Sequence, residues 1–204
     1  VIWRLFREGT VPHVSTFAYH EHRDRAPHLD QAGHRPRLLA ARDLVDEAAR
    51  LLDTEVPTLS DLGCGDGGLL SLVQDSFEEA WGYDFCPANA AGWKERDVDA
   101  EFLDVFNGDR SLVQLGDVVV MTEVLEHVAD PHGVVRWLYD DVRPAFLVCS
   151  SPWDESDRAA DECHAWAYDR DGYRELFEGA GWQVLRHNDV GRYQLLLAGR
   201  RPTP

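Results

Sequence analysis

Nothing in this 204-residue chain is apolar over a length that crosses a bilayer. Its longest hydrophobic runs are strand-sized, whereas a spanning helix needs about 20 such residues. The opening residues, VIWRLFREGTVPH, carry neither a small-residue cleavage pattern nor a long apolar centre. No secretory signal is therefore expected, and the expected compartment is the cytoplasm. Basic residues are in deficit: 20 Lys and Arg face 37 Asp and Glu, a formal net charge of −17. That field opposes most polyanions, so nucleic acid is not the expected partner. Short basic stretches, His34-Arg35-Pro36-Arg37 and Arg200-Arg201, build no broad patch. The acidity serves solubility or, in a sharper reading, a neutral or cationic substrate. Cysteine is sparse, and Cys64, Cys86, Cys149 and Cys163 match no paired CxxC zinc pattern. They are expected to be reduced, partly buried thiols. No internal repeat, low-complexity tract or interdomain linker is present. With 44 % hydrophobic residues, the chain is sized for one globular domain.

What is present is an alternation of strand and helix signals. Residues 1–35 lack clean periodicity and are rich in His and aromatics. They are expected to form a helical cover segment, with residues 36–204 as the main domain. Residues 36–53 repeat apolar positions at helical spacing behind Pro36. Strands are expected at 58–63, 79–85, 101–105, 116–121, 145–150, 182–188 and 192–199. Helices are expected at 67–76, 88–94, 122–128, 131–141 and 169–180, with Asp171 as an early cap and Gly181 as a stop. The last two strands, divided by Asn188, Asp189 and Gly191, read as a hairpin. The pattern predicts an α/β fold: a mostly parallel, doubly wound sheet with helices on both faces. Ligands of such sheets sit at the carboxyl ends of the strands.

The segment Asp61-Leu62-Gly63-Cys64-Gly65-Asp66-Gly67-Gly68-Leu69-Leu70 follows a strand and opens a helix. Gly63 and Gly65 allow backbone angles that a Cβ obstructs, and Gly67 allows close contact with a ligand or strand. It is not a phosphate-binding P-loop, because the lysine and hydroxyl are missing. Glycines at 63, 65 and 68 leave a dinucleotide fingerprint open. Asp61 tilts against it, since a carboxylate there suits an ammonium group and sits poorly beside a pyrophosphate. Asp84 ends the second strand, where a carboxylate can accept hydrogen bonds from two ribose hydroxyls.

DLGCGDGGLL resembles the first motif of class I S-adenosylmethionine-dependent methyltransferases, and the likeness runs over roughly residues 38–199. It implies a Rossmann-like, seven-stranded sheet ending in an antiparallel hairpin. It also implies S-adenosylmethionine as cofactor and S-adenosylhomocysteine as product. By that resemblance Asp61, Gly63, Cys64, Gly65 and Gly67 cradle the amino-acid part, and Asp84 and Phe85 meet the ribose. Asp104 and Val105 approach the adenine, although Asp97 and Asp99 lie close by. Thr122 and Glu123 complete the cofactor side. Met121–Val128 looks like the post-strand motif of the ubiquinone-biosynthesis-like branch, and STFAYHEHRDRAPHLDQAGHRPRLLAA is similar to bacterial small-molecule enzymes of natural-product pathways. The implied partner is a small-molecule acceptor with a hydroxyl or an amine, the implied state a monomer or homodimer.

Methyl transfer needs alignment of the nucleophile and, often, removal of a proton. His127 is the first candidate base, with Glu123 and Glu126 beside it. On a helix these three share a face. Tyr19, His20, Trp153, His164, Trp166 and Tyr168 are candidates to line the acceptor pocket. The ExxEH element and a later histidine also resemble the Hen1-type small-RNA 2′-O-methyltransferases, in which carboxylates and histidines hold a divalent ion at the RNA end. Metal-dependent methylation of an RNA 3′ end is thus the alternative function, and a non-catalytic S-adenosylmethionine-binding protein a further one. No metal ligand is assigned from the sequence.

Overall fold

The strand and helix signals become a seven-stranded sheet with helices on both faces. The computed structural model describes residues 2–4, 20–106, 113, 115–155 and 163–200. In chain order the elements are β1 (Ile2–Arg4), α1 (Arg35–Leu51), β2 (Thr58–Leu62), α2 (Leu70–Val73), β3 (Glu79–Asp84), α3 (Ala90–Arg96), β4 (Ala100–Phe102), β5 (Val118–Thr122), α4 (Pro131–Trp137), β6 (Phe146–Pro152), β7 (Trp166–Tyr168), α5 (Arg170–Glu178), β8 (Gln183–Val190) and β9 (Tyr193–Gly199). The sheet order is β4-β3-β2-β5-β6-β9-β8. Strands β2 to β6 run parallel, and β9 is antiparallel to both β6 and β8. The chain winds outward from β2 to β4 and then crosses back to β5. The carboxyl ends of β2 and β5 therefore flank the switch point where such sheets bind ligands.

Both faces of the sheet are sealed by amphipathic helices. Leu38, Ala41, Leu44, Val45 and Ala48 of α1 are buried with Leu59, Val118, Val120 and Val148. On the opposite face Tyr173, Leu176 and Phe177 of α5 pack with Val135, Leu138 and Trp182. Because both faces are covered, β5 opens with the apolar run Val118–Met121 and β6 with Phe146–Cys149, rather than alternating, and Ser150 and Ser151 of β6 are buried as well. No helix among the described residues is long and apolar enough to cross a membrane.

Four expectations need correction. The helix expected at 122–128 does not form. Glu123 adopts a left-handed φ of 58°, and the Glu126 carbonyl accepts from the amides of Ala165 and Trp166 instead of a helical partner. Glu123, Glu126 and His127 thus share no helix face. The helix expected at 67–76 shrinks to α2 plus one 3₁₀ turn, Gln74–Ser76. The cap of α5 is Asp169, whose Oδ1 accepts from the Gly172 amide at 2.7 Å, not Asp171. Finally, Ile2–Arg4 is not helical but pairs antiparallel with β7, supplying the hydrogen bonds that a lone three-residue strand leaves open.

Candidate active site

The glycine-rich turn after β2 is held by backbone geometry. Gly63 takes φ 78°, and a Cβ there would lie 2.6 Å from Val124 Cγ2. Gly65 takes φ 56° and faces open space, so a side chain is excluded by conformation and the space stays available to a ligand. The amides of Gly63 and Cys64 both donate to the Tyr83 carbonyl, at 2.7 and 3.1 Å. Asp84, at the end of β3, ties the turn down: its Oδ2 accepts from the Gly65 amide at 3.0 Å. Its Oδ1 accepts from the Cys86 amide and from Asn89 Nδ2, at 2.8 and 3.1 Å. Asp66 is buried under two guanidinium groups, those of Arg25 and Arg96. Through Arg25 the segment preceding α1 is fastened to the glycine turn.

Above this turn lies a cavity of ≈ 680 Å³ that reaches from the rim of β2 and β3 to that of β5 and β6. Gly63, Cys64, Gly65, Asp84, Phe85, Asp104, Val105, Thr122 and Glu123, all candidates for the cofactor side, line it. Asp61 and Gly67 do not reach its wall. Asp61 lies wholly buried beneath the turn, and its Oδ1 has no hydrogen-bond partner. Burial, reinforced by the Asp84 charge and opposed by Arg37, pushes the Asp61 carboxyl up to about 7.

Arg37 was not singled out by sequence. It is only 2 % exposed, lines the cavity and stacks over the Tyr193 ring at 5.1 Å. Its Nη1 lies 3.8 Å from Glu123 Oε1, and its Nε has no hydrogen-bond partner. His28 lies 3.5 Å from its Nη2. Burial and the Arg37 charge lower the His28 pKa to about 4. The signal for Arg37 was available: positions 37, 41, 44 and 48 form one stripe of α1, and a charge on that stripe points inward. A buried carboxylate oxygen and a buried guanidinium nitrogen, both unpaired beside the glycine cradle, suit a ligand carrying an ammonium and a carboxylate.

Between Arg37 and the histidines, Glu123 Oε1 also accepts from Ser150 Oγ at 2.7 Å. Burial raises its pKa, opposed by Arg37 and by that hydrogen bond. His127 and His164 come together edge to face with ring centroids 4.5 Å apart. His164 Nδ1 lies 2.6 Å from Glu155 Oε2, and Cys163 adjoins the pair. All four residues line the cavity, and so does His20, whose ring meets Phe85 edge-on. Glu126 does not. Its carboxyl is buried with neither oxygen hydrogen-bonded, and burial together with Glu123 pushes its pKa well up. It is a core group away from the cavity lining.

Three of the aromatic candidates also turn away. Trp166 and Tyr168 sit two apart on β7 and share a face. Trp166 Nε1 donates to the Val128 carbonyl at 2.9 Å, and the Tyr168 hydroxyl to the Leu125 carbonyl at 3.0 Å. Trp153 points outward, 40 % exposed, and its Nε1 donates to the Gly191 carbonyl. Tyr19 lies outside the described residues. Glu155 and Cys163, missed in the sequence, belong to a loop without periodicity, where only the proximity of His164 hinted at them.

Solved structures share this fold. The N-methyltransferase NodS from Bradyrhizobium japonicum WM9, in complex with S-adenosyl-L-homocysteine, superposes with a TM-score of 0.70 at 15 % identity, covering 95 % of this chain and 100 % of that one. Magnesium protoporphyrin IX methyltransferase from Synechocystis PCC 6803, with bound S-adenosylmethionine, gives 0.63 at 14 % identity, covering 97 % and 88 %. The methyltransferase domain of a bacterial Hen1 gives 0.58 at 19 % identity, covering 79 % and 98 %. At these identities the likeness is one of fold. No curated protein sequence matches the chain. A family described as a methyltransferase domain matches residues 32–187, and the chain belongs to that family: it is an S-adenosylmethionine-dependent methyltransferase.

Proposed function

We propose that the enzyme transfers the methyl group of S-adenosylmethionine to a hydroxyl, or an amine, of a small molecule in a biosynthetic pathway of secondary metabolism. The amino-acid end of the cofactor would lie on the glycine turn, over the buried Asp61 carboxyl whose charge would favour its ammonium through the turn, with Arg37 on the cavity wall for its carboxylate. Asp84 takes the ribose hydroxyls, and Asp104 and Val105 border the adenine. His127 and His164, which line the same cavity, would be the groups nearest an acceptor brought to the sulfonium methyl. The acceptor oxygen attacks the methyl carbon, the C–S bond breaks with its electron pair left on sulfur, and the acceptor proton passes to the histidine pair. Glu155 on Nδ1 leaves Nε2 of His164 as the atom that takes a proton.

The observation that carries this reading is the histidine pair that lines the same cavity as the glycine turn. The cavity volume falls in the range of small-molecule sites, about 300–1,000 Å³. A net charge of −17 and a core position for Glu126 weigh against an RNA end as acceptor, the alternative that the paired histidines favour. A transfer assay with methyl-labelled S-adenosylmethionine decides between them. Label is expected in neutral or cationic small molecules bearing hydroxyls or amines. Label only in the 3′-terminal ribose of an RNA would overturn the proposal.

A further inference from the structure

The acceptor end of the cavity holds more than a base. A donor nitrogen from His127, the sulfur of Cys163 and a donor nitrogen from His164 all lie within 4.8 Å of one another. All three residues line the cavity. Cys163 is 4 % exposed, and the His164 side chain 10 %. They come from two separate stretches of chain, the turn after β5 and the approach to β7, so their convergence is tertiary rather than a product of sequence adjacency. A tetrahedral ion, with Zn–N near about 2.0 Å and Zn–S near about 2.3 Å, would draw these atoms together to roughly 3.5 Å separations.

We infer that His127, Cys163 and His164 form a binding site for a soft divalent transition ion, zinc by preference, at the acceptor end of the cavity. Two imidazoles and a thiol are the donor set that selects zinc over magnesium or calcium, which want oxygen. The second-sphere arrangement is in place. Glu155 holds Nδ1 of His164 at 2.6 Å, which fixes the ring and aims Nε2 at the ion, the usual carboxylate–histidine–metal relation. Arg192, with Nη2 3.7 Å from the other Glu155 oxygen, steadies that carboxylate in turn. Three protein ligands leave a fourth position open toward the cavity, the pattern of a catalytic rather than a structural site.

The role of the ion, unlike its binding, rests on the methyl-transfer reading above. With the ion bound, the histidines are ligands rather than proton acceptors. An acceptor hydroxyl takes the open position and its O–H bond weakens. A hydroxyl held there would lose its proton to a carboxylate lining the cavity, such as Glu123, as its oxygen takes the sulfonium methyl and the C–S electron pair stays on sulfur. The product is the methyl ether with S-adenosylhomocysteine.

Titration of the metal-stripped protein with Co²⁺, followed by absorption, tests the site without needing an acceptor. One equivalent is expected to give the intense visible bands of a tetrahedral ion and a near-ultraviolet thiolate-to-cobalt band. Zn²⁺ should displace it, and millimolar Mg²⁺ should not. Cys163→Ser should abolish the thiolate band. His127→Ala should weaken binding at least tenfold, and Glu155→Gln should weaken it by about 10–100-fold through the second sphere. Retained S-adenosylhomocysteine affinity in each variant certifies folding. A weak octahedral spectrum, indifference to Cys163→Ser and His127→Ala, or equal competition by Mg²⁺ would overturn the site. If the site binds as described but no small molecule is methylated with the ion present, the methyl-acceptor reading fails while the metal site stands.

Discussion

The two ends of the cavity are built by different means. At the cofactor end the backbone makes the site. Positive-φ glycines shape the turn, paired amides anchor it to Tyr83, and Asp84 and Asp66 lock it to α3 and to the segment before α1. At the acceptor end side chains make the site: Glu155 on His164, Ser150 on Glu123, His127 against His164. Except for Ser150 of β6, they arrive from irregular chain. A backbone-made site tolerates little change and serves one ligand, whereas a side-chain-made site can be rebuilt for new acceptors without disturbing the sheet.

The largest effect is expected where the backbone itself carries the geometry. Gly63→Ala places a Cβ against Val124 at a left-handed φ. S-adenosylhomocysteine affinity should fall at least about 100-fold, and unfolding free energy by roughly 1–3 kcal/mol, read by calorimetry and denaturant titration. An affinity within threefold of the parent would erase the contrast between the two ends.

At the acceptor end the loss should appear in turnover alone. His164→Gln is expected to lower kcat by about 10²–10⁴-fold while S-adenosylhomocysteine affinity stays within about twofold. A parallel loss of cofactor binding would mean that the two ends are not separable.

Asp61 sharpens the comparison through pH. Its carboxyl is pushed up to about 7, so the unliganded protein holds the proton below that pH, and binding an ammonium expels it. Affinity should therefore fall as pH drops below 7, by up to about tenfold per unit, and Asp61→Asn should flatten that slope. The same shift bears on stability. The unfolded carboxyl ionises near about 3.9, so the native state binds the extra proton between that value and about 7, and this group's contribution falls as pH rises through the window. Unliganded Asp61→Asn should thus exceed the parent in stability above pH 7 by roughly 2–4 kcal/mol and match it near pH 4. His28, which titrates near 4, stays neutral across the binding window above pH 5. A pH-independent affinity in the parent would remove Asp61 from the ammonium site.

The smallest effect belongs to a residue that the structure withdraws from the site. Tyr168→Phe deletes one buried hydrogen bond to Leu125, costing about 1–2 kcal/mol of stability and leaving kcat within about twofold. A large kcat loss would return Tyr168 to the acceptor pocket.

How much was legible in the sequence follows the same division. The seven strands, the closing hairpin and the glycine turn could be read because each is enforced locally, by apolar runs, by Gly191 and by glycine spacing, although Asn188 and Asp189, read as part of the hairpin turn, belong to β8 and the turn is Gly191-Arg192. Gly63, Gly65, Asp84 and Asp104 stand where that reading put them. The acceptor end was only partly legible. His127 and His164 lie on the cavity, but the helix that was to unite His127 with Glu123 and Glu126 is replaced by a turn whose Glu126 carbonyl serves Ala165 and Trp166. Trp166 and Tyr168 went inward because β7 became a strand packed on the core, a tertiary outcome that no local period announces. Arg37 was hidden for the opposite reason: it looked like part of a surface basic stretch, although its stripe on α1 is the buried one.

The most direct test of the central claim, that the backbone-made end binds S-adenosylmethionine, is calorimetric titration with S-adenosylhomocysteine of the parent and of Asp84→Ala. The account predicts one site of micromolar affinity in the parent and loss of measurable binding in the variant, because Asp84 holds the turn and faces the ribose at once. No binding to a well-folded parent, or undiminished binding to Asp84→Ala, would contradict it.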